Sequence, residues 1–393
     1  MGLSNRDVSL MLSLERGGSA QRLDADSSAA DNPAVATAAS SAAGNLTGVA
    51  VETLAAGRHA AAPPAPGGQS QNATDQGFGL LEDRLPLSYD ALEAVECAIL
   101  DNICSALSCS RADVSGVEPI KDGLTNLSFK FTVAGLPYVY RHPGPGSDQI
   151  INRESEAFSL SVAQRLGVDG TFVYQDPESG WKISRFIEGC EQLDYDNPAH
   201  VARAMELIRR VHSCGVASRW TFDVMEKARA IVGMLNPQTC ARLSDFDELS
   251  ARMEALDAHT AADGVAPCLC HNDFYAPNFL VRGDEMHLID WEYSAMSDYA
   301  SDLGTFICCS EYTPDEALGV INEYFEGAAT PAQVRHCLAY VALAAYYWLV
   351  WALYKEEAGD PVGEWLELWH GYAADYSQRA LALYEAAQGA GVA

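Results

Sequence analysis

The stretch of sequence that decides the fold is CHNDFYAPNFLVRGDEMHLIDWE, residues 270–292. Within it, Asp273 is followed five residues later by Asn278, and twelve residues further on by Asp290. The turn-forming run RGDE at residues 282–285 separates two short apolar segments, a pattern that predicts a β-hairpin. Because a hairpin returns the chain to its starting level, we expect Asp290 to lie beside Asn278.

These three side chains match the parts that phosphoryl transfer requires. A carboxylate must orient the acceptor hydroxyl and accept its proton, and Asp273 is the candidate. Asn278 and Asp290 offer the oxygen ligands that Mg²⁺ prefers. The order HxDxxxxN, hairpin, ID is typical of protein-kinase-like phosphotransferases, and an ordinary acidic loop before a hairpin is the alternative interpretation. The sequence contains no GxxxxGK[ST] motif, which argues against a P-loop nucleotide site.

The chain is strongly acidic, with 54 Asp and Glu against 25 Lys and Arg among 393 residues, and a net charge of −29. Nucleic-acid binders neutralise phosphates with clustered Lys and Arg, so this balance argues against a nucleic-acid partner. It argues equally against attachment to an anionic membrane surface. An acidic field favours a cationic small molecule as the ligand.

Two segments invite other interpretations. Residues 1–77 contain no Phe, Tyr, Trp, Cys or Lys, so we predict a disordered low-complexity tail over residues 1–85, either partner-binding or dispensable. Residues 337–354 (CLAYVALAAYYWLVWALY) contain no charge and reach the length of a membrane span. Because this segment is rich in Ala, Tyr and Trp, we predict a buried helix without membrane insertion; an integral membrane protein is the alternative.

The eleven cysteines form no CxxC pair and no Cys/His set with zinc-finger spacing. Cys268, Cys270 and His271 come closest to a metal cluster, but the neighbouring residues predict a buried strand that enters a loop. Free cysteine is among the most buried residue types, so we interpret these thiols as core residues. The N-terminal segment lacks the features of a secretory signal, and we expect a cytoplasmic protein with reduced thiols.

The remaining pattern predicts an α+β fold with two lobes. Residues 86–190 alternate β-rich runs with two helical runs, and mostly helical periodicity follows over residues 191–390. The predicted helices of the first part are 92–107 and 153–166, and its predicted strands are 126–133, 138–141, 172–175 and 181–186. We therefore expect a protein-kinase-like fold, with a small N-terminal nucleotide-binding lobe, a larger helical catalytic and substrate lobe, and a ligand cleft between them.

The order of parts in a kinase supplies further candidates for nucleotide binding. The run KDGLTN, residues 121–126, precedes a strand and is the candidate phosphate-covering loop. On the next strand, Arg141 can supply a cation for the phosphates, positioned by Glu156 or Glu154; a solvated helix face is the alternative place for either glutamate. The end of the fourth predicted strand is the candidate hinge for adenine. The predicted nucleotide-binding residues are therefore Thr125, Asn126, Arg141, Glu156, Arg185 and Ile187.

With these motifs, the chain resembles the choline/ethanolamine kinase family, and most closely its bacterial branch that prepares phosphocholine for cell-surface glycans. That family lies within the aminoglycoside-phosphotransferase and protein-kinase-like superfamily. The resemblance extends from about residue 120 to about residue 351. The blocks that carry it are GLTN (123–126), YVYRHPGPGSDQIINRESE (138–156), KISRFIEG (182–189), CHNDFYAPNFLV (270–281), IDWEYSAMSDYASDLG (289–304) and YWLVW (347–351).

The resemblance implies an ATP- and Mg²⁺-dependent kinase that phosphorylates the hydroxyl of choline. It makes Asp273 the catalytic base, Asn278 and Asp290 the metal ligands, and Arg141 the cation on the nucleotide side. His271 and Asp302 are then expected to brace the catalytic loop.

The family's YWxxW helix supplies two tryptophans to an aromatic box for the quaternary ammonium, here Trp348 and Trp351. Rings three residues apart share one side of a helix, and tryptophan faces attract cations. Glu292 is predicted to add a carboxylate near the ammonium. Core packing is the alternative role for the two tryptophans, and it is our interpretation of a second aromatic stripe, Trp365, Trp369, Tyr372 and Tyr376.

Two alternatives stay open at this point. Met296 stands where eukaryotic members often carry a tyrosine, so the acceptor is choline or else ethanolamine, thiamine or an aminoglycoside. A nucleotide-binding pseudokinase or scaffold is the alternative from another class. It predicts the loss of at least one of Asp273, Asn278 and Asp290, and all three are present. The oligomeric state is left open.

Overall fold

The computed structural model describes residues 89–120, 127–143 and 151–389. The predicted tail, residues 1–85, lies outside the described residues, as do Thr125 and Asn126 of the predicted phosphate-covering loop. The described chain forms the two predicted parts, a small antiparallel sheet with helices, followed by a larger helical part.

In the described part of the first lobe, five strands form one antiparallel sheet in the order β1-β2-β3-β5-β4. Its elements are α1 (Tyr89–Leu107), β1 (Val114–Ile120), β2 (Leu127–Val133), β3 (Leu136–His142), α2 (Arg153–Arg165), β4 (Phe172–Gln175) and β5 (Lys182–Arg185). Ala134 and Gly135 connect β2 to β3 with φ values of 52° and 77°, as a two-residue hairpin turn with both central residues at positive φ requires.

The core of this lobe forms where α1 packs on the sheet. Phe131, Tyr140 and Ile183 come from three neighbouring strands, and all three are fully buried with Ile103 of α1. The Tyr140 ring stacks on Trp181 with 5.6 Å between centroids. This aromatic layer fixes the position of β3 and β5, the two strands that carry basic side chains toward the second lobe.

The second lobe is mostly helical, and its described part contains two short strand pairs. Its elements are α3 (Pro198–His212), α4 (Val224–Met234), α5 (Pro237–Cys240), α6 (Phe246–Ala262), β6 (Cys268–Cys270), β7 (Phe279–Arg282), β8 (Glu285–Leu288), β9 (Ala295–Ser297), α7 (Tyr299–Cys308), α8 (Pro314–Tyr324), α9 (Pro331–Glu357) and α10 (Trp365–Gly389). Strand β6 pairs with β9, and β7 pairs with β8 as the predicted hairpin. The tip of that hairpin turns at Gly283, where φ is 56°.

Helix α9 contains the apolar segment that has the length and composition of a membrane span. Thr330 and Gln333 form a capping box at its start, and Pro331 occupies the first helical position. In its most apolar window, 83% of the helix is buried inside the protein. The prediction of a buried helix is therefore confirmed, and α9 is the central helix of this lobe.

Candidate active site

The candidate catalytic loop follows β6, and its backbone is held in an uncommon conformation. Asn272 and Asp290 have φ values of 63° and 67°, in the left-handed region that non-glycine residues seldom adopt. The Asn272 side chain is fixed from two sides, because it donates to the Tyr293 carbonyl at 3.1 Å and accepts from the Ser301 hydroxyl at 3.1 Å. Such conformations persist where the surroundings enforce them, and they cluster at functional sites.

Asp302, in the first turn of α7, holds this loop through its backbone. Its buried carboxylate accepts the N–H groups of His271 at 2.8 Å and of Asn272 at 2.6 Å. It also accepts a bond from Nε2 of His212 at 2.9 Å. The structure thus places Asp302 in the position expected of a brace.

His271 connects the loop to the segment that follows the hairpin. Its Nε2 donates to the Ile289 carbonyl at 2.9 Å, and its Nδ1 accepts the Asp273 amide at 3.3 Å. Burial lowers the pKa of His271, so the neutral ring that this bonding requires is the form present at neutral pH. The ring therefore positions Asp273 relative to the end of the hairpin.

The structure brings Asp273, Asn278 and Asp290 together. The Asn278 amide donates to the carboxylate and to the carbonyl of Asp273, both at 2.8 Å. The Ile289 amide donates to the Asn278 carbonyl at 2.8 Å, which places Asp290 beside Asn278. Burial, with the charges of Asp290 and Glu292, raises the pKa of Asp273 well above its usual range. The hydrogen bond from Asn278 acts against this shift, because it favours the ionised carboxylate that proton abstraction from a hydroxyl requires.

Next to this loop lies a charge cluster made by the sheet, α2 and the segment after the hairpin: Arg141, Arg153, Glu156, Lys182, Asp290 and Glu292. Arg141 of β3 bonds Asp290 through one guanidinium nitrogen and Glu292 through the other. Lys182 lies opposite Arg141 on β5 and contacts Asp290 at 3.4 Å. Burial raises the pKa of Asp290, but Arg141 and Lys182 outweigh it and hold that pKa below its usual range. Asp290 is therefore ionised at neutral pH, as a metal ligand must be.

The two candidate glutamates of α2 face different surroundings. Glu154 lies at the surface and pairs with Arg219 at 2.5 Å. Glu156 is buried, and it accepts bonds from Arg153 at 2.9 Å and from Lys182 at 3.1 Å. Glu156 is therefore the glutamate directed into the charge cluster. The sequence predicts Arg141 of β3 as the partner of this glutamate. In the structure Arg153 and Lys182 donate hydrogen bonds to Glu156, and Arg141 also interacts with it electrostatically.

The carboxylates of this cluster fit a hard divalent cation. Oxygen atoms of Glu156, Asp290 and Glu292 lie within 4.8 Å of one another, and Asn278 adjoins Asp290. Carboxylate and amide oxygens are the ligands that Mg²⁺ prefers.

Glu292, predicted to face the substrate ammonium, lies inside the charge cluster. It is buried between Arg141 and Arg153, with 3.8 Å to the second of these. Burial, reinforced by Asp290 and Glu156, outweighs Arg141 and raises the pKa of Glu292 to about 7. A direct role in substrate binding stays a prediction for this residue.

The predicted hinge residues follow the sheet. Arg185 pairs with Tyr138 across the sheet, and its amide donates to the Thr171 carbonyl at 2.8 Å. Ile187 belongs to an apolar cluster that joins the sheet to β7. The members of this hinge cluster are Val139, Phe186, Ile187, Cys190 and Leu280, with Ile120 and Ile289 packed against them. Residues of both lobes therefore meet at this place.

A cluster of aromatic rings adjoins Asp273. Trp348 lies at its centre, and the ring centroids of Tyr293, Tyr347, Trp351 and Trp369 are 4.9 to 5.9 Å from its own. Burial and the charges of the Asp273 and Glu292 carboxylates raise the pKa of Tyr347, and Tyr275 follows Asp273 by two residues. We call Tyr275, Tyr293, Tyr347, Trp348, Trp351, Trp365 and Trp369 the aromatic cluster.

The second aromatic stripe of the sequence divides between this cluster and the core. Trp365 stacks on Trp369 at 5.2 Å and meets Tyr275 of the catalytic loop edge-on at 6.3 Å. Tyr372 and Tyr376 stack on each other at 5.5 Å and are buried. Core packing is therefore correct for Trp369 and the two tyrosines, which are buried, whereas Trp365 is half-buried.

Sequence reasoning missed three residues of this site, Lys182, Arg153 and Tyr275. Lys182 begins the block KISRFIEG and directly follows Trp181 at the start of a predicted strand. A cation buried at such a place needs a carboxylate partner. Arg153 begins α2 three residues before Glu156, a spacing that brings side chains together on a helix. Tyr275 stands two residues after the candidate base.

Solved structures and a curated relative resemble this chain over most of its described length. Choline kinase LicA from Streptococcus pneumoniae matches with a TM-score of 0.60 and 26% identity, covering 75% of this chain and 99% of that chain. A crystal structure of LicA in complex with AMP matches with a TM-score of 0.59 and 25% identity, covering 74% and 98%. Protein LicA of Haemophilus influenzae is 26% identical over 254 residues, 62% of this chain and 74% of that protein. The predicted kinase-like fold and the resemblance to choline kinases are confirmed.

A family model gives the same result for the sequence. The model for the phosphotransferase enzyme family matches residues 116–337, which is more than half of the 393 residues. The match includes the catalytic loop, the hairpin and most of the five-stranded sheet that carries Arg141 and Lys182. This chain therefore belongs to the phosphotransferase enzyme family.

Proposed function

We propose that this phosphotransferase moves the γ-phosphoryl group of ATP to the hydroxyl of choline, giving phosphocholine and ADP. One observation carries the proposal: Asp273, bonded by Asn278 and beside Asp290, adjoins the aromatic cluster around Trp348. The carboxylate and amide set is what phosphoryl transfer to a hydroxyl requires. The rings are a binding surface for a quaternary ammonium.

The nucleotide is proposed to bind between the sheet and the hairpin. The hinge cluster around Ile187 offers an apolar surface for adenine, and Arg141 and Lys182 offer cations for the phosphates. Both cations bond Asp290 in this structure, and phosphates would take over part of that bonding. The LicA structure that contains AMP supports a nucleotide site in this fold.

Asn278 and Asp290 would hold Mg²⁺ next to those phosphates, since their oxygens suit this cation. When bound, the ion neutralises charge on the nucleotide phosphates. Glu156 positions Lys182 through the 3.1 Å bond, so that its ammonium stays directed at Asp290 and the phosphate region.

Asp273 performs the proton transfer in this proposal. Its carboxylate accepts the proton of the choline hydroxyl while the hydroxyl oxygen bonds to the γ-phosphorus. The bond from that phosphorus to the oxygen bridging it to the β-phosphate breaks, and ADP leaves. His271 and Asp302 hold the loop during this step, because they bond its backbone directly.

The aromatic cluster favours choline among the acceptors. A trimethylammonium group has no N–H to donate, so ring faces and surrounding negative charge recognise it; a desolvated contact is worth about 2 kcal/mol. Ethanolamine has a primary ammonium, which needs hydrogen-bond acceptors. Ethanolamine, thiamine and aminoglycosides are the alternative acceptors for the same chemistry, and a catalytically silent pseudokinase is the alternative without it.

Turnover with ATP and Mg²⁺ across choline, ethanolamine, thiamine and an aminoglycoside tests the proposal. We expect choline-dependent ADP release with a kcat/KM well above that for ethanolamine. Asp273→Asn should lower kcat by at least about 100-fold. Asp284→Asn, at the exposed hairpin tip, is the matched control and should leave turnover unchanged. Turnover with another acceptor and not with choline would overturn the assignment of choline as the substrate and leave the phosphotransfer mechanism standing. ATP binding without turnover of any acceptor would favour the pseudokinase.

A further inference from the structure

A second cluster of ligand-type side chains lies behind the catalytic loop. Cys268 and Cys270 are two residues apart on β6, so their side chains share one face of the strand. Their Sγ atoms are 3.7 Å apart. His212, the last residue of α3, brings a ring nitrogen into the group, and all three ligand atoms lie within 4.8 Å of one another.

We propose that Cys268, Cys270 and His212 form a binding site for Zn²⁺. A tetrahedral zinc ion with Zn–S bonds of about 2.3 Å holds its two sulfurs about 3.8 Å apart. The observed separation of 3.7 Å already matches this geometry. Two thiolates and an imidazole are also the donors that a soft, tetrahedral cation selects over Mg²⁺.

The bonding of His212 suits a metal ligand. Its Nε2 donates to the Asp302 carboxylate at 2.9 Å, which leaves Nδ1 as the nitrogen with a lone pair. Metal-binding histidines commonly donate their second ring nitrogen to a carboxylate in this way. Nδ1 now bonds the Tyr324 hydroxyl at 2.9 Å, and zinc would take that place. The Tyr324 oxygen or a water would complete the four ligands, since that hydroxyl lies 2.9 Å from the nitrogen that would bind zinc.

Charge and access both support this site. The Asp302 carboxylate bonds the ring of His212 and the amide of His271, the residue after Cys270, so a cation bound here would offset its charge. Cys268 is half-buried and Cys270 is buried, so a metal ion would reach the group from the side of Cys268. The strand leads directly into the catalytic loop, and Asp302 bonds both His212 and that loop. Zinc bound here would therefore be connected to the catalytic loop through His212 and Asp302.

Metal binding to the full-length protein tests the proposal without any reference to phosphotransferase activity. The protein is stripped with a chelator, kept reduced with a phosphine, and titrated with Zn²⁺ against a chromogenic chelator. Cd²⁺ serves as the second probe, because thiolate-to-cadmium charge transfer gives an ultraviolet band. We expect one equivalent of each metal, and a loss of affinity of at least about tenfold in Cys268→Ser and in His212→Gln.

Cys240→Ser is the matched control, since Cys240 is also half-buried but lies in α5, in another part of the lobe. It should bind zinc as the wild type does. A second readout avoids dependence on folded variants: bound zinc should protect Cys268 of the wild type from alkylation and leave Cys240 reactive. Absence of stoichiometric binding by the reduced wild type would overturn the proposal. Binding that survives Cys268→Ser unchanged, or alkylation of Cys268 unaffected by zinc, would overturn it equally.

Discussion

Gly304 allows α7 and α9 to approach each other at backbone distance. A Cβ atom added at Gly304 would lie 2.3 Å from the carbonyl oxygen of Tyr340, 2.7 Å from its carbon and 3.2 Å from the Cβ of Ala344. The two nearest atoms are backbone atoms of the buried helix α9, so they cannot move aside as the end of a flexible side chain can. Gly304→Ala must therefore separate the two helices.

The cost of this separation can be estimated from its two parts. Overpacking a well-packed core costs about 1–3 kcal/mol, and a contact more than 1 Å closer than ordinary packing belongs at the upper end. Alanine gains about 1 kcal/mol over glycine in a helix interior. We expect Gly304→Ala to lower the free energy of unfolding by about 2 kcal/mol. Because α7 carries Asp302, the same shift should also slow turnover.

Gly319→Ala is the matched control for this prediction. Gly319 is exposed in the middle of α8. Apart from its two chain neighbours and the nearby backbone of the same helix, no atom of the described residues lies within 4 Å of the added Cβ. This substitution should raise the free energy of unfolding by about 0.5–1 kcal/mol. Urea unfolding followed by circular dichroism measures both variants. A Gly304→Ala protein as stable as the wild type would refute the close contact between α7 and α9.

Three further predictions concern the site and its supporting lobe. Trp351→Ala should raise the KM for choline about tenfold and leave the KM for ATP nearly unchanged; equal effects on both would place the ammonium elsewhere. Lys182→Met should raise the KM for ATP and lower the free energy of unfolding by about 3 kcal/mol, because buried carboxylates lose their cation; an unchanged KM for ATP would exclude this lysine from the nucleotide site. Burial lowers the pKa of His336, but bonds to Asp298 at 2.9 Å and Asp263 at 2.8 Å outweigh burial and raise it. The protonated ring stabilises the fold fully below about pH 6.5, and this stabilisation is lost as the pH rises through the raised pKa. In urea unfolding, His336→Gln should therefore have a lower free energy of unfolding than the wild type, by a difference that shrinks with rising pH. A difference that stays constant with pH would contradict this prediction.

Local signals were sufficient to predict most elements of the fold. The hairpin β7–β8 follows from a short run of turn residues between two apolar segments, and each of its contacts is made within ten residues. Strand β1 was missed, because its seven residues alternate weakly and its pairing with β2 shifts register between Ser115 and Glu118. Such an irregular edge strand is stabilised by its partner strand, and its own pattern gives little indication of it.

The same difference between local and long-range contacts explains which parts of the site could be predicted. The candidate base and metal ligands all lie within residues 273–290, and one hairpin brings them together. The cations that face them come from another lobe: Lys182 meets Asp290 only because β5 pairs with β3 in one register, opposite Arg141. A slip of one residue would direct Lys182 to the other face of the sheet. Spacing along the chain therefore predicts the chemistry of the loop, whereas strand register decides which cation supports each carboxylate.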